Sequence, residues 1–215
     1  MTIQPHAMRL YAVTHRAWAG DDQTLLAQIS AAIRGGAGIV QLREKHLPPA
    51  AFLPLARDFV ALCRAEGAVS IINDQVDIAL QAGADGVHVG QSDLEAATVR
   101  QRLGPDKLLG VSVHNVEEAL RAQSAGADYL GVGAAFFTGT KQDAVPVTRA
   151  TMRAITQAVT IPVVAIGGVN EDNLLSLSGC GLDGVAVVSA LFGAPDVACA
   201  AQRLLALSTQ MVQAR

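Results

Sequence analysis

The stretch AGADGV at residues 82–87 is one of four similar segments, and this weak repeat decides the fold. The other three are GGAGIV at 35–40, AGADYL at 125–130 and CGLDGV at 180–185. Each segment carries a glycine where a helical pattern ends and an apolar run begins. These glycines are Gly36, Gly83, Gly126 and Gly181. Because glycine adopts the left-handed conformation that ends many helices, the repeat predicts units in which a buried strand follows a helix.

Eight short apolar runs lie along the chain, with helical patterns between them. They occupy 9–14, 38–43, 69–74, 86–90, 108–113, 128–133, 162–168 and 184–189. The runs are too short for ordinary helices and lack strict alternation, which is typical of strands buried on both faces. This pattern in 215 residues predicts a single (β/α)8 TIM-barrel domain over residues 1–215. An open doubly wound sheet is the alternative, although no GxGxxG follows the first strand.

Two of the helical segments carry local signals. In DQTLLAQISAAIR, at 22–34, Leu26, Ile29 and Ile33 fall on one face. Ser92 and Glu95 have the spacing of a capping box, which predicts a helix that begins at Ser92.

The composition narrows the class of protein. Hydrophobic residues make up 51% of the chain but aromatic residues only 4%, which favours a parallel sheet with an aliphatic core. A net charge of −3 without a basic block argues against nucleic-acid or anionic-membrane partners. Cys63, Cys180 and Cys199 form no CxxC pair and are predicted to be reduced thiols. With no apolar export or membrane-spanning segment, we expect a cytoplasmic protein; homo-oligomerisation is left open.

Active sites of TIM barrels lie at the carboxyl ends of the strands, so polar residues there are the candidates. They are Gln41, Arg43, Lys45, Asn73, Asp74, Gln91, Asp93, Ser112 and His114, with Thr138, Thr140 and Lys141 after the sixth strand. Asp74 and Asp93 follow neighbouring strands and can reach one point. Two carboxylates beside cations predict a Mg²⁺ site shared with substrate phosphate. Arg43, Lys45 and Lys141 would hold the remaining phosphate oxygens.

Each of these residues also has a plainer interpretation. Arg43 and Lys45 could pair with Glu44 at a solvated rim. Asp74 could cap a helix that begins near Val76, and Asp93 could complement the dipole of the next helix.

A second anion site is predicted between the loops after strands seven and eight, where phosphate often binds in this fold. Gly167 and Gly168 permit close backbone approach, and Ser189 offers amides and a hydroxyl. The alternative is that the two glycines only form a tight turn. Among the histidines, His88 is expected to be a hydrogen-bonded structural residue, and His114 is better placed to act.

With these residues assembled, the chain resembles the thiamine-phosphate synthase family. The motifs that carry the likeness are VQLREK (40–45), IINDQVDIALQAGADGVHVGQSDL (71–94), GVSVHNVEEA (110–119), GADYLGVGAAFFTGTK (126–141) and PVVAIGGV (162–169). The chain departs from the family at four positions. The family usually has Asp at His15, Arg at Gln75, and proline at Ala134 and Phe137.

The resemblance implies a transferase that condenses hydroxymethylpyrimidine diphosphate with hydroxyethylthiazole phosphate, with Mg²⁺ as cofactor. By that likeness, Gln41, Arg43, Lys45 and Asn73 hold the pyrimidine diphosphate, Asp74 and Asp93 bind Mg²⁺, and Lys141 contacts the diphosphate. Thr138, Thr140, Gly168, Val188 and Ser189 hold the thiazole phosphate, and Ser112 contacts the diphosphate or the pyrimidine. The catalytic set is Arg43, Lys45, Ser112 and Lys141. The alternatives are a thiazole tautomerase, in which His114 shuttles protons, and a non-catalytic binder of thiamine phosphate.

Overall fold

The eight predicted strands form a closed parallel barrel in chain order in a computed structural model, which describes residues 3–91, 93–137 and 146–214. The strands are β1 (Leu10–Val13), β2 (Ile39–Leu42), β3 (Val69–Asn73), β4 (Gly86–Val89), β5 (Leu108–Val113), β6 (Tyr129–Val132), β7 (Val163–Ile166) and β8 (Gly184–Val187). Leu10 of β1 is in register with Val185 of β8, and this pairing closes the ring. The predicted TIM barrel is confirmed. β5 has the predicted bounds, and the other strands are shorter than predicted.

An outer layer of helices covers the barrel. It consists of α1 (Asp22–Arg34), α2 (Pro49–Glu66), α3 (Val76–Ala82), α4 (Ala96–Leu103), α5 (Val116–Ser124), α6 (Arg149–Ala158), α7 (Ser189–Phe192) and α8 (Val197–Gln213). Between β7 and β8 the described helical element is a 3-10 helix, Leu174–Leu177. Helix α8 contacts α1, β1 and β8, so it closes the outer layer. Among the described residues, none of the helices has the length and apolar character needed to cross a membrane.

The repeat has a structural role that involves aspartates as well as glycines. Gly36, Gly83, Gly126 and Gly181 all have positive φ, as predicted for residues that follow a helix. Three of the four segments also contain an aspartate directly before the strand. The Asp85, Asp128 and Asp183 carboxylates accept hydrogen bonds from the first or second amide of the preceding strand, at 2.7–2.9 Å. The repeat therefore ends one helix and ties neighbouring strands together at the amino end of the barrel.

Two details of the helices differ from the predictions. In α1 the fully buried face consists of Leu25, Ile29 and Ala32. Of the predicted residues, Leu26 and Ile33 are only partly buried and lie at the edges of this face. The predicted capping box is wrong, since α4 begins at Ala96 and its first flanking residue, Glu95, makes no side-chain capping bond. Ser92 lies outside the described residues.

Apolar residues fill both the barrel interior and the layer beneath the helices. The interior cluster includes Tyr11, Ile39, Ile71 and Tyr129, and Met8 packs with it from the 3-10 helix Pro5–Arg9. This 3-10 helix precedes β1, so the interior is filled from the amino end. The carboxyl end opens into a cavity lined by both polar and apolar residues.

Candidate active site

A cavity of about 460 Å³ opens at the carboxyl ends of the strands. Its lining includes the predicted site residues Gln41, Arg43, Lys45, Asn73, Asp74, Asp93, Ser112, Gly168, Val188 and Ser189. The remaining predicted site residues, Thr138, Thr140 and Lys141, lie outside the described residues. The barrel therefore brings ten predicted residues to one cavity, and their individual roles stay predictions.

The end of β2 directs alternate residues to different surroundings. Gln41, Arg43 and Lys45 line the cavity, although the strand itself ends at Leu42. Between them, Glu44 is buried and accepts a 3.0 Å hydrogen bond from Arg16 Nε. The carboxylate of Glu44 thus has a partner on the β1–α1 connection. Burial lowers the pKa of Arg43, and the nearby carboxylate of Asp74 opposes this effect.

Asp74 and Asp93 form a pair of neighbouring carboxyl groups in the cavity wall. Burial, together with the hydrogen bond and charge of Asp93, raises the pKa of Asp74 to about 6. Asp93 Oδ2 also accepts a 2.7 Å hydrogen bond from the amide of Gly90. Since α4 begins three residues after Asp93, this carboxylate is held by the β4–α4 loop and is not a helix-capping group.

The backbone at Asp74 is unusual because its φ is +60°. Non-glycine residues rarely adopt this left-handed conformation, which costs roughly 1–2 kcal/mol. The amide of Asp74 donates to the carbonyl of His88 at 2.9 Å, and its carbonyl accepts from the amide of Val76 at 3.2 Å. Helix α3 is flanked by Gln75, without a side-chain capping bond, so Asp74 is not its cap. The conformation instead turns the chain at the end of β3, beside the cavity.

The donor set fits a hard divalent cation that completes its coordination with ligand oxygens. Two carboxyl groups meet here, and one has a raised pKa because burial and its neighbour disfavour its charge. Within the described part of the chain, no group of three or more His, Cys, Asp or Glu side chains could hold a metal. Mg²⁺ commonly binds through one or two carboxylates plus substrate phosphates, so Asp74 and Asp93 would suffice to hold it.

Gly167 and Gly168 line the cavity, and both have a packing role. A Cβ atom on Gly167 would lie 2.7 Å from the Cβ of Ala134, and one on Gly168 would lie 2.5 Å from the Phe137 carbonyl oxygen. The amide of Ala135 donates to the carbonyl of Ile166 at 2.8 Å, so the segment after β6 lies directly against the end of β7. Close packing is a sufficient reason for both glycines, and phosphate binding there stays a prediction.

Three histidines differ in their surroundings. His88 is buried, and its ring nitrogens lie 3.2 Å from Tyr129 Oη and 2.9 Å from Ser112 Oγ. The predicted hydrogen bonding of His88 is confirmed, and the residue also lines the cavity. His114 lines the cavity as well, and its Nδ1 lies 2.9 Å from Glu118 Oε2. His15 caps a short 3-10 helix by accepting a 3.2 Å hydrogen bond from the Ala17 amide.

Tyr11 and Tyr129 were not predicted from the sequence, yet they contact Gln41 and His88 of the cavity wall. Both are buried in the barrel interior, and their hydroxyl oxygens lie 2.8 Å apart. A buried tyrosine hydroxyl needs a hydrogen-bond partner. The tyrosines in β1 and β6 therefore indicate polar contacts inside the barrel. The identity of the partners depends on strands that are distant in sequence.

The protein has an eight-stranded parallel barrel, and Arg43 and Lys45 line a cavity at the carboxyl ends of the strands. These two features place it in the class of TIM-barrel enzymes. Comparison with known proteins narrows this class. The family described as thiamine monophosphate synthase matches residues 10–191. The chain therefore belongs to the thiamine monophosphate synthase family, and it is a transferase of thiamine biosynthesis.

Similar proteins and a solved structure agree with this assignment. The thiamine-phosphate synthase of Chloroflexus aurantiacus is 50% identical over 200 residues, which cover 93% of this chain and 92% of that protein. The thiamine-phosphate synthase of Moorella thermoacetica is 48% identical over 192 residues, which cover 89% and 91%. The structure of thiamine phosphate pyrophosphorylase from Pyrococcus furiosus superposes with a TM-score of 0.88 at 35% identity. That superposition covers 97% of this chain and 98% of the other.

Proposed function

We propose that this enzyme condenses hydroxymethylpyrimidine diphosphate with hydroxyethylthiazole phosphate to give thiamine phosphate and pyrophosphate. The observation that carries the proposal is the cavity whose wall contains Asp74, Asp93, Arg43 and Lys45, with Arg43 close enough to Asp74 to influence its pKa. Two carboxyl groups beside two cations suit a diphosphate that binds together with a divalent cation. The cytoplasmic location expected from the sequence stays part of the proposal.

The reaction breaks the bond between the methylene carbon of the pyrimidine and a diphosphate oxygen. The bonding electrons leave with the diphosphate, and the thiazole then bonds to the electron-deficient carbon. Because the pyrimidine is electron-rich, a dissociative path requires stabilisation of the leaving group more than a strong base. When bound, Mg²⁺ would supply neutralising charge at the leaving oxygens.

The side chains of the protein have separate roles in binding the two substrates. The diphosphate is held by Arg43 and Lys45 and by Lys141, which lies outside the described residues. These cations stabilise the growing charge of the diphosphate. Gln41 and Asn73 hold the pyrimidine half of the same substrate. Ser112 contacts the diphosphate or the pyrimidine. The thiazole phosphate binds to Thr138, Thr140, Gly168, Val188 and Ser189.

A direct assay tests this function. The protein is incubated with both substrates and Mg²⁺, and pyrophosphate and thiamine phosphate are followed together. We expect both products in equal amounts, and none when either substrate or Mg²⁺ is left out. A folded protein that yields neither product would contradict the proposal.

A thiazole tautomerase is the second candidate, and the contact between His114 and Glu118 favours it. Although burial opposes the effect, hydrogen bonds from His114 lower the pKa of Glu118. A carboxylate that holds one imidazole nitrogen leaves the other free to exchange protons. Incubation with a thiazole tautomer alone separates the two functions. Isomerisation without condensation would favour the tautomerase, and binding of thiamine phosphate without either reaction would favour a binding protein.

A further inference from the structure

A chain of hydrogen bonds crosses the barrel interior beneath the cavity. Gln41 Nε2 donates to Tyr11 Oη at 2.7 Å, and the Tyr11 hydroxyl oxygen lies 2.8 Å from that of Tyr129. The chain continues through Tyr129 Oη to His88 Nδ1 at 3.2 Å, and from His88 Nε2 to Ser112 Oγ at 2.9 Å. Gln41 and Ser112, the two ends, both line the cavity. The tyrosines between them are at most 1% exposed.

The number of hydrogen atoms that each group can donate gives this chain of hydrogen bonds a direction. Each tyrosine hydroxyl has one hydrogen to donate, and a neutral histidine carries one on only one of its ring nitrogens. His88 is treated as neutral because its imidazole is buried and both of its ring nitrogens contact uncharged hydroxyl groups. Gln41 donates to Tyr11. If every buried hydroxyl hydrogen has an acceptor, Tyr11 then donates to Tyr129, and Tyr129 donates to Nδ1 of His88. The histidine hydrogen is then on Nε2, which donates to Ser112.

We propose that Tyr11, Tyr129 and His88 are positioning residues that set, as one unit, the hydrogen-bonding groups that Gln41 and Ser112 offer to the cavity. In the inferred direction, Ser112 accepts from His88 and keeps its hydroxyl hydrogen for a ligand. The amide of Gln41 keeps its carbonyl oxygen as an acceptor. Reversal requires the amide to turn over, both tyrosine hydroxyls to rotate and the histidine to change tautomer together.

This fixed pairing of one donor with one acceptor suits a neutral heteroaromatic ring with an amino group beside a ring nitrogen. The amino group donates to Gln41, and the ring nitrogen accepts from Ser112. The choice of ring rests on the proposed function, whereas the direction of the chain does not.

Two glycines on neighbouring strands leave room for the chain. A Cβ atom on Gly110 would lie 2.2 Å from Tyr129 Cζ and 2.5 Å from His88 Nδ1. A Cβ atom on Gly131 would lie 3.2 Å from Cε1 of His88. An apolar interior would avoid the cost of burying these polar groups. The barrel instead accommodates two phenol rings and an imidazole whose polar atoms satisfy one another.

Nitrogen-15 NMR of the histidine side chains tests the direction in the full-length protein. The His88 signals are assigned by their loss in His88→Gln. At neutral pH we expect Nε2 to carry the hydrogen and Nδ1 to have the shift of an unprotonated acceptor. The Nδ1–H tautomer, a mixture of tautomers or an imidazolium would overturn the proposal.

Tyr11→Phe tests whether the residues act as one unit, because Tyr11 is separated from His88 by Tyr129. We expect this variant to produce a mixture of His88 tautomers and to raise the KM for the pyrimidine diphosphate roughly tenfold, with the KM for the thiazole phosphate unchanged. Ile71→Val is the matched control, since Ile71 lies in the same interior cluster, and it should alter neither value. A folded Tyr11→Phe variant with the wild-type tautomer and KM would overturn the proposal.

The two proposals fail in different ways. If the wild-type protein forms no thiamine phosphate, the proposed function is contradicted, while the tautomer of His88 still decides the direction of the chain. If the Tyr11→Phe variant does not fold, the tautomer in the wild-type protein remains decisive.

Discussion

The carboxyl groups of Asp74 and Asp93 interact electrostatically where the chain leaves β3 and β4, and both line the cavity. Burial and this neighbour raise the pKa of Asp74 to about 6, which means that the free pair resists carrying two full charges. A divalent cation, if held by Asp74 and Asp93, would offset this repulsion. The arrangement therefore favours a ligand that binds together with its cation.

Asp93→Asn should reduce turnover about 100-fold or more while leaving the fold intact. The asparagine carbonyl can still accept the hydrogen bond of the Gly90 amide, so we expect a stability loss below about 1 kcal/mol. The lost negative charge removes a proposed Mg²⁺ ligand. Steady-state kinetics over a Mg²⁺ series and urea unfolding measure the two effects. Asp106→Asn, an exposed acid before β5, is the control. Normal turnover at ordinary Mg²⁺ concentrations would refute the metal-binding role.

Lys141→Ala should lower kcat more than it raises the KM for the thiazole phosphate. The attraction between an ammonium group and the departing diphosphate becomes stronger as the carbon–oxygen bond breaks. Loss of this attraction therefore appears mainly in kcat. We expect a cost of roughly 2–4 kcal/mol in transition-state stabilisation, by analogy with an oxyanion donor. Lys107→Ala is the matched control, because Lys107 donates to the Ala84 carbonyl near the amino end of β5. An unchanged kcat in Lys141→Ala would mean that this lysine is not at the leaving group.

Asp128→Ala should destabilise the fold by about 1–3 kcal/mol and leave kcat/KM unchanged. The substitution leaves the amide of Leu109, which donates to Asp128 at 2.7 Å, without this partner inside the protein. It also removes the ion pair of Asp128 with Arg100. Asp128→Asn, which keeps an acceptor, should recover part of the loss. Equal stability of the alanine variant and the wild type in urea unfolding would contradict this role of the repeat.

The buried His88 should make the protein less stable as the pH falls from about 6.5 to about 4. The unfolded histidine binds a proton near pH 6.5, whereas burial lowers the folded pKa to about 4 despite the opposing charge of Asp93. At His88 the unfolded state therefore binds more protons in this window, and the contribution of His88 to the free energy of unfolding falls by on the order of 3 kcal/mol. Asp74, whose folded pKa is raised to about 6, contributes in the opposite direction, so the effect is read from the comparison with a variant that lacks His88. At pH 7 this contribution is fully present. Urea unfolding at a series of pH values, compared with His88→Gln, measures the difference. Parallel stability curves for the two proteins would contradict the prediction.

Local features of the sequence were enough to predict the order of the strands and to place each strand to within two residues. Helix periodicity, short apolar runs and glycines in left-handed conformations depend on residues close together in the chain, which is why β5 was predicted without error. The same local logic predicted that Gln41, Arg43 and Lys45 share one cavity. It failed at α4, because the predicted start was Ser92 whereas the helix begins at Ala96, and Glu95 makes no side-chain capping bond.

Only the closed barrel decided which distant residues meet. The partner of Glu44 is Arg16, and the polar chain from Gln41 to Ser112 passes through Tyr11, Tyr129 and His88. These contacts join residues up to 118 positions apart, as between the two tyrosine hydroxyls. Their formation depends on strand register and on ring closure, which no single segment encodes. The sequence by itself determined the fold and the chemistry available at each strand end. The tertiary structure decided the pairing of those groups, because hydrogen bonds and buried charges are settled by neighbours in space.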